Sequence, residues 1–95
     1  MMLIVPLLDL PAQTVSISLG GQQCSINLRT LGGSLYCDLY VGTTLIIAGV
    51  LCLNSNRIVR NTYLGFIGDL SFYDTQGTSD PVSPGLGTRY ELWYI

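Results

Sequence analysis

The groups able to do chemistry in this chain are six carboxylates, three thiols, four guanidiniums and six phenols; histidine and lysine are absent. The carboxylates are Asp9, Asp38, Asp69, Asp74, Asp80 and Glu91. General acid–base work draws first on histidine, and none is available. A calcium loop needs acidic residues at its first, third and fifth positions, a spacing these carboxylates do not show. Asp74 and Asp80 lie among turn formers, where a carboxylate bonds nearby main-chain N–H groups. Asp69 follows Gly68, an expected bend. No Gly-x-Ser-x-Gly, phosphate-loop or dinucleotide fingerprint occurs, and Gly85–Leu86–Gly87 reads as loop. The chain is therefore not expected to be an enzyme or to hold a cofactor or metal.

The thiols point the same way. Cys24, Cys37 and Cys52 form no C-x-x-C pair, and no histidine could complete a zinc site. Each stands in an apolar run that accepts a small hydrophobe. Free thiols used as core filler are the expectation, matching a reducing compartment; spacing alone leaves a disulfide between two of them open. Arg29, Arg57, Arg60 and Arg89 are scattered, and the net charge is -2. A phosphate-binding surface needs clustered cations, so no nucleic-acid partner is expected.

What remains is surface. Of 95 residues, 48% are hydrophobic and only 11% charged, more apolar area than a small monomer hides comfortably. A single domain spanning residues 1–95 of this size buries roughly 60% of its unfolded surface, and contact with other subunits would add to that. The run from Leu39 to Leu53 is shorter than the ~20 residues of a membrane-crossing helix. MMLIVPLLDL lacks a basic leader and is interrupted by Pro6, so it does not read as a signal peptide.

The elements that must position these groups read as strands. Thr14 to Leu19 and Gln22 to Leu28 alternate polar and apolar residues on either side of Gly20–Gly21, the pattern of a tight hairpin. A third strand is predicted from Leu35 to Val41, with Leu35, Cys37, Leu39 and Val41 on one side and Tyr36, Asp38 and Tyr40 on the other. A fourth apolar run, Leu45 to Leu53, contains Gly49, which marks either a bulge or a break into two strands. A fifth segment is predicted from Tyr63 to Tyr73. A long loop covers Asp74 to Gly87, and a terminal strand covers Arg89 to Ile95, where Tyr90, Leu92 and Tyr94 alternate with Arg89, Glu91 and Trp93. No helical stripe is present. The expected fold is all-β: a small antiparallel β-sandwich or partly closed β-barrel of six to seven strands.

Aromatic residues are plentiful against so few charges. Tyr36 and Tyr40, together with Tyr90, Trp93 and Tyr94, are the candidate contact residues, because Tyr and Trp combine large area with a polar tip. The loop over residues 74–87 is a further candidate, and Met1 to Leu10 could add a strand to a neighbouring sheet. A rival use of the same residues is an aromatic-lined module binding a carbohydrate or small ligand.

The order of motifs resembles the small baseplate plug proteins of contractile-tailed bacteriophages. The resemblance lies in I-V-P-L and P-A-Q-T-V-S-I-S-L-G-G-Q (between Ile4 and Gln22), L-Y-C-D-L-Y (Leu35 to Tyr40) and I-A-G-V-L-C-L (Ile47 to Leu53). It continues in Y-L-G-F-I-G-D-L-S-F-Y-D (Tyr63 to Asp74), then Asp80–Pro81, Leu86–Gly87 and Leu92–Trp93–Tyr94. It covers nearly the whole chain. It implies a non-enzymatic virion component of the tail baseplate, assembled in the host cytoplasm. Its partners would be other baseplate, hub and tail-tube proteins in a symmetric multi-copy assembly.

Overall fold

The computed structural model describes residues 3–59, 66–82 and 85–95. Its strands are β1 (Leu3–Val5), β2 (Ala12–Leu19), β3 (Gln22–Leu31), β4 (Ser34–Val41), β5 (Thr44–Leu51), β6 (Leu70–Asp74) and β7 (Tyr90–Tyr94). They form two antiparallel sheets, ordered β2-β3-β4-β5 and β1-β7-β6. There is no helix among the described residues, and the sheets do not close into a barrel. The architecture is that of a small β-sandwich.

The four-stranded sheet is a meander built on two-residue turns. Gly20 and Gly21 take φ of 57° and 77°, and Gly32 and Gly33 take 57° and 81°. Successive positive φ angles are those of the turn whose twist matches the strands it joins, and glycine adopts them without steric cost. β2 pairs β3 without interruption from Ala12↔Arg29 to Leu19↔Gln22. β3 pairs β4 from Cys24↔Val41 to Leu31↔Ser34. Period-2 alternation then places Cys24, Ile26, Leu28, Leu35, Cys37 and Leu39 inside, each at most 2% exposed.

β5 resolves the question posed by Gly49. It is one strand, and its register against β4 shifts between Cys37 and Leu39 and again between Leu39 and Tyr40. Gly49 sits in the first irregularity with φ of 64°, the left-handed conformation usual in a glycine bulge.

The second sheet draws on distant segments. β7 is its central strand, pairing β1 through Ile4↔Trp93 and β6 through Ser71↔Trp93. Val5, Leu70, Phe72 and Leu92 are each no more than 1% exposed and meet the inner residues of the meander in one core. Leu3–Val5 pairs with β7 of its own chain and forms an edge of that sheet. One expectation is corrected here. In the segment predicted from Tyr63 to Tyr73, the described residues are strand only from Leu70 onward; residues 60–65 lie outside those described. The Asp69 carboxylate accepts hydrogen bonds from Val59 N–H (2.8 Å) and Leu70 N–H (2.7 Å), and Gly68 has φ of 90°. That geometry bends the chain just before β6.

Candidate interaction surface

The bulges of β5 decide what the outer face of the meander shows. Residues opposite one another across a ladder share a face. Tyr36 stands opposite Leu51 and Tyr40 opposite Leu45, while Cys37 stands opposite Val50 and Leu39 opposite Ile47. Strict alternation would put Leu45, Ile47 and Leu51 on one side. The extra residues in β5 turn Ile47 inward and leave Leu45 and Leu51 outside, 49% and 40% exposed. The outer face near the β5 edge thus carries Tyr36, Tyr40, Leu45 and Leu51, with both tyrosines half-buried.

An ion pair crosses this patch. Arg29 Nη1 donates to Asp38 Oδ2, and Asp38 Oδ1 accepts from Gly49 N–H at 2.6 Å. One carboxylate therefore ties β3 to β4 and pins the bulge that displays the two leucines. Toward β2 the same face becomes uncharged and polar, through Thr14, Ser16, Ser18, Ser25 and Asn27, with Thr14 Oγ1 bonded to Asn27 Oδ1 at 2.7 Å.

The terminal aromatic residues divide. Trp93 lies on the side of β7 away from the core, beside Ile4, and meets the Tyr73 ring edge-on at 6.2 Å. Its Nε1 is buried and finds no acceptor, an omission worth about 1–3 kcal/mol, so packing rather than hydrogen bonding fixes the ring. Tyr90 and Tyr94 face the other way and are 4% and 8% exposed. Tyr94 packs edge-on against Phe66 at 5.9 Å and donates its hydroxyl to Ile67 C=O at 2.5 Å. The Arg89 guanidinium stands 5.2 Å over the Tyr90 ring. Both tyrosines serve the interior of this chain, and Tyr36, Tyr40 and Trp93 are the candidates with area to offer outward. Leu45 and Leu51 do not stand out in the sequence, where Gly49 is the one sign that the faces of β5 switch.

The described part of the 74–87 loop is anchored at three places. Asp74 accepts from Arg89 Nε (2.9 Å) and Nη2 (2.8 Å) and from Gln76 and Ser79 N–H, each at 2.9 Å. Asp80 accepts from Asn54 N–H at 3.0 Å, and Gly85 N–H donates to Asp9 at 3.0 Å. The Arg89 guanidinium beside Asp74 holds its carboxyl well below the usual carboxylate range.

The three thiols stand apart from this surface. Burial pushes the Cys24 thiol up. A hydrogen bond with the Cys52 thiol, followed by burial, pushes Cys37 well up; all three thiols are free and buried. Among the described residues no three metal-ligating side chains cluster, and no helix is long and apolar enough to cross a membrane. A cavity of about 240 Å³ lies between Gly33–Leu35, Leu51–Leu53 and Asp80–Val82. It is smaller than the ~300–1,000 Å³ of typical ligand sites, and none of the described tyrosines lines it.

No curated protein matches the chain. Its sequence does match a family model, described as cyanophage baseplate Pam3 plug gp18, over residues 2–95. This small β-sandwich with a partly apolar outer face is thus a member of the cyanophage baseplate plug family, a structural component of the phage virion.

Proposed function

We propose that this chain closes or braces the inner end of the tail baseplate, where hub meets tube, by protein–protein contact alone. The observation that carries the reading is the outer patch of Tyr36, Tyr40, Leu45 and Leu51. Aromatic residues flanked by exposed leucines form the kind of anchor that interface cores are made from. Trp93 with Ile4 gives a second, smaller contact on the opposite sheet. The reading is non-enzymatic and involves no nucleic acid. Several copies in a closed symmetric assembly would each present the same patch, after assembly in the host cytoplasm.

The test is co-expression of the tagged chain with the hub and tail-tube proteins of the same phage, followed by sizing. A stable co-eluting complex is expected, and Leu45→Asp combined with Leu51→Asp should abolish it while leaving the fold intact, because both side chains are exposed. A chain that elutes alone from every hub and tube protein would overturn the reading, as would a double variant that binds like the parent.

A further inference from the structure

We infer that the free edge of β2 pairs with the β2 edge of a second copy of this chain, in antiparallel register about a two-fold axis at Ser16. The inference rests on the multi-copy plug reading above and adds the element by which copies meet.

The main-chain geometry comes first. Leu19 and Gln22 flank a two-residue turn and so exchange hydrogen bonds with each other. By alternation Ile17, Val15 and Gln13 also direct their N–H and C=O groups toward β3. The bond from Gly42 N–H to Gln23 C=O, 2.8 Å, on the far side of β3 fits the same phase. Ala12, Thr14, Ser16 and Ser18 consequently aim their main-chain groups away from the sheet. No main-chain bond outside the ladder reaches them among the described residues.

Soluble β proteins protect such an edge with lysine, proline, bulges or brevity. Among the described residues, every other edge has one of these or is covered. β5 carries two register irregularities, β1 is three residues long, and the edge of β6 is bridged by Asn54 and Arg57. β2 has none: it is eight residues long, pairs regularly throughout, and contains no charge and no proline. Its inward side chains Val15 and Ile17 are only half-buried, although they pack against the core.

A second copy complements this edge face by face. With Ser16 opposite Ser16 of the second copy, Thr14 meets Ser18 on the polar face and Val15 meets Ile17 on the apolar one. Sliding the pairing so that Val15 faces Val15 would set Gln13 against Ile17, polar against apolar. β5 and β1 of a second copy cannot supply a regular partner of this length, for the reasons just given. The result is a continuous eight-stranded sheet in which Val15 and Ile17 lose their remaining exposure. One strand pair is a small interface, at the low end for specific association, so a cross-link reads it better than size alone.

Hydrogen-bonded residues across antiparallel strands have Cα atoms about 5.5 Å apart, within the roughly 4.4–6.8 Å that a disulfide spans. Ser16→Cys should therefore form a disulfide-linked dimer in air, two thiols giving up two electrons and two protons to dioxygen. Ser18→Cys is the control, because its own mate would stand about 14 Å away, four residues along the strand. The native thiols are buried and do not compete. Cross-linking of S16C at least about tenfold faster than S18C is expected from the higher effective concentration of paired thiols. In sedimentation, Ser16→Lys should lose whatever self-association the parent shows, because it opposes two ammonium groups. Equal cross-linking of S16C and S18C, none in either, or self-association unaffected by S16K would overturn the inference. A chain that binds hub proteins yet never cross-links through S16C would sink the strand pairing and leave the plug reading standing.

Discussion

The two sheets are made in opposite ways. The meander from Ala12 to Leu51 is continuous in sequence, and each strand finds its partner across a two-residue turn. The other sheet gathers Leu3–Val5, Leu70–Asp74 and Tyr90–Tyr94, with the last strand in the middle. Closing the long loops between those strands costs more entropy than a turn and comes later in folding. The meander displays the patch and the free edge that are proposed as its contacts. The second sheet faces mostly inward and completes the core. On the proposed reading, the main contact surface and the late-forming part of the core sit on different halves of one small molecule.

That division predicts unequal sensitivity. Leu92, on the central strand of the second sheet, is 0% exposed, and Leu92→Ala should cost about 2–5 kcal/mol. For a domain whose whole stability is about 5–15 kcal/mol, that lowers the melting temperature by tens of degrees or abolishes folding. Val15 on β2 is only half-buried, and Val15→Ala should cost under about 1.5 kcal/mol. Thermal or urea unfolding measures both. Equal losses would show that the edge of the meander bears as much of the core as the second sheet does.

Acid should open the second sheet first. Asp74 ends β6 and receives four hydrogen bonds, two of them from Arg89 beside β7. Its native carboxyl is held well below the ordinary value, chiefly by the Arg89 bond, whereas the unfolded chain titrates near 3.9. Below about pH 4 the unfolded state therefore binds the extra proton, so stability is full above that pH and falls as pH drops toward the native value. Hydrogen exchange at pH 3 should show β6 and β7 amides losing protection before those of β3 and β4. Asp74→Asn should be less stable at neutral pH and lose much of the acid dependence. An unchanged acid limb in D74N would remove this pair from the account.

The same division governs what the sequence makes legible. Period-2 alternation and the glycine pairs are local signals, so β2, β3 and β4 can be read almost to the residue. The pairing of Ile4 with Trp93 leaves no local trace, and neither does the position of β7 between β1 and β6. The alternation of Tyr90, Leu92 and Tyr94 against Trp93 is visible. Which face turns inward is decided by a sheet that exists only once the chain ends have met, so Tyr90 and Tyr94 read as contact residues and prove to be core. On β5, two added residues change the parity of the strand, and this is why Leu45 and Leu51 do not announce themselves.

The finest test uses the two glycine turns, which look interchangeable in sequence. Both have successive positive φ angles, near 57° at the first glycine and 77–81° at the second, a geometry for which Asn-Gly is the favoured pair. At Gly32 a Cβ would meet nothing within 4 Å, so Gly32→Asn should be neutral or stabilising by up to about 1 kcal/mol, through a less flexible unfolded chain. At Gly20 a Cβ would run into the Tyr94 hydroxyl, which is bonded to Ile67 C=O. Gly20→Asn should therefore destabilise by about 1–3 kcal/mol as that part-buried bond is disturbed. The urea midpoint of Gly20→Asn should fall while that of Gly32→Asn holds or rises. The first turn belongs to both sheets and the second to one alone, and a shared sign would mean that Tyr94 does not join them at Gly20.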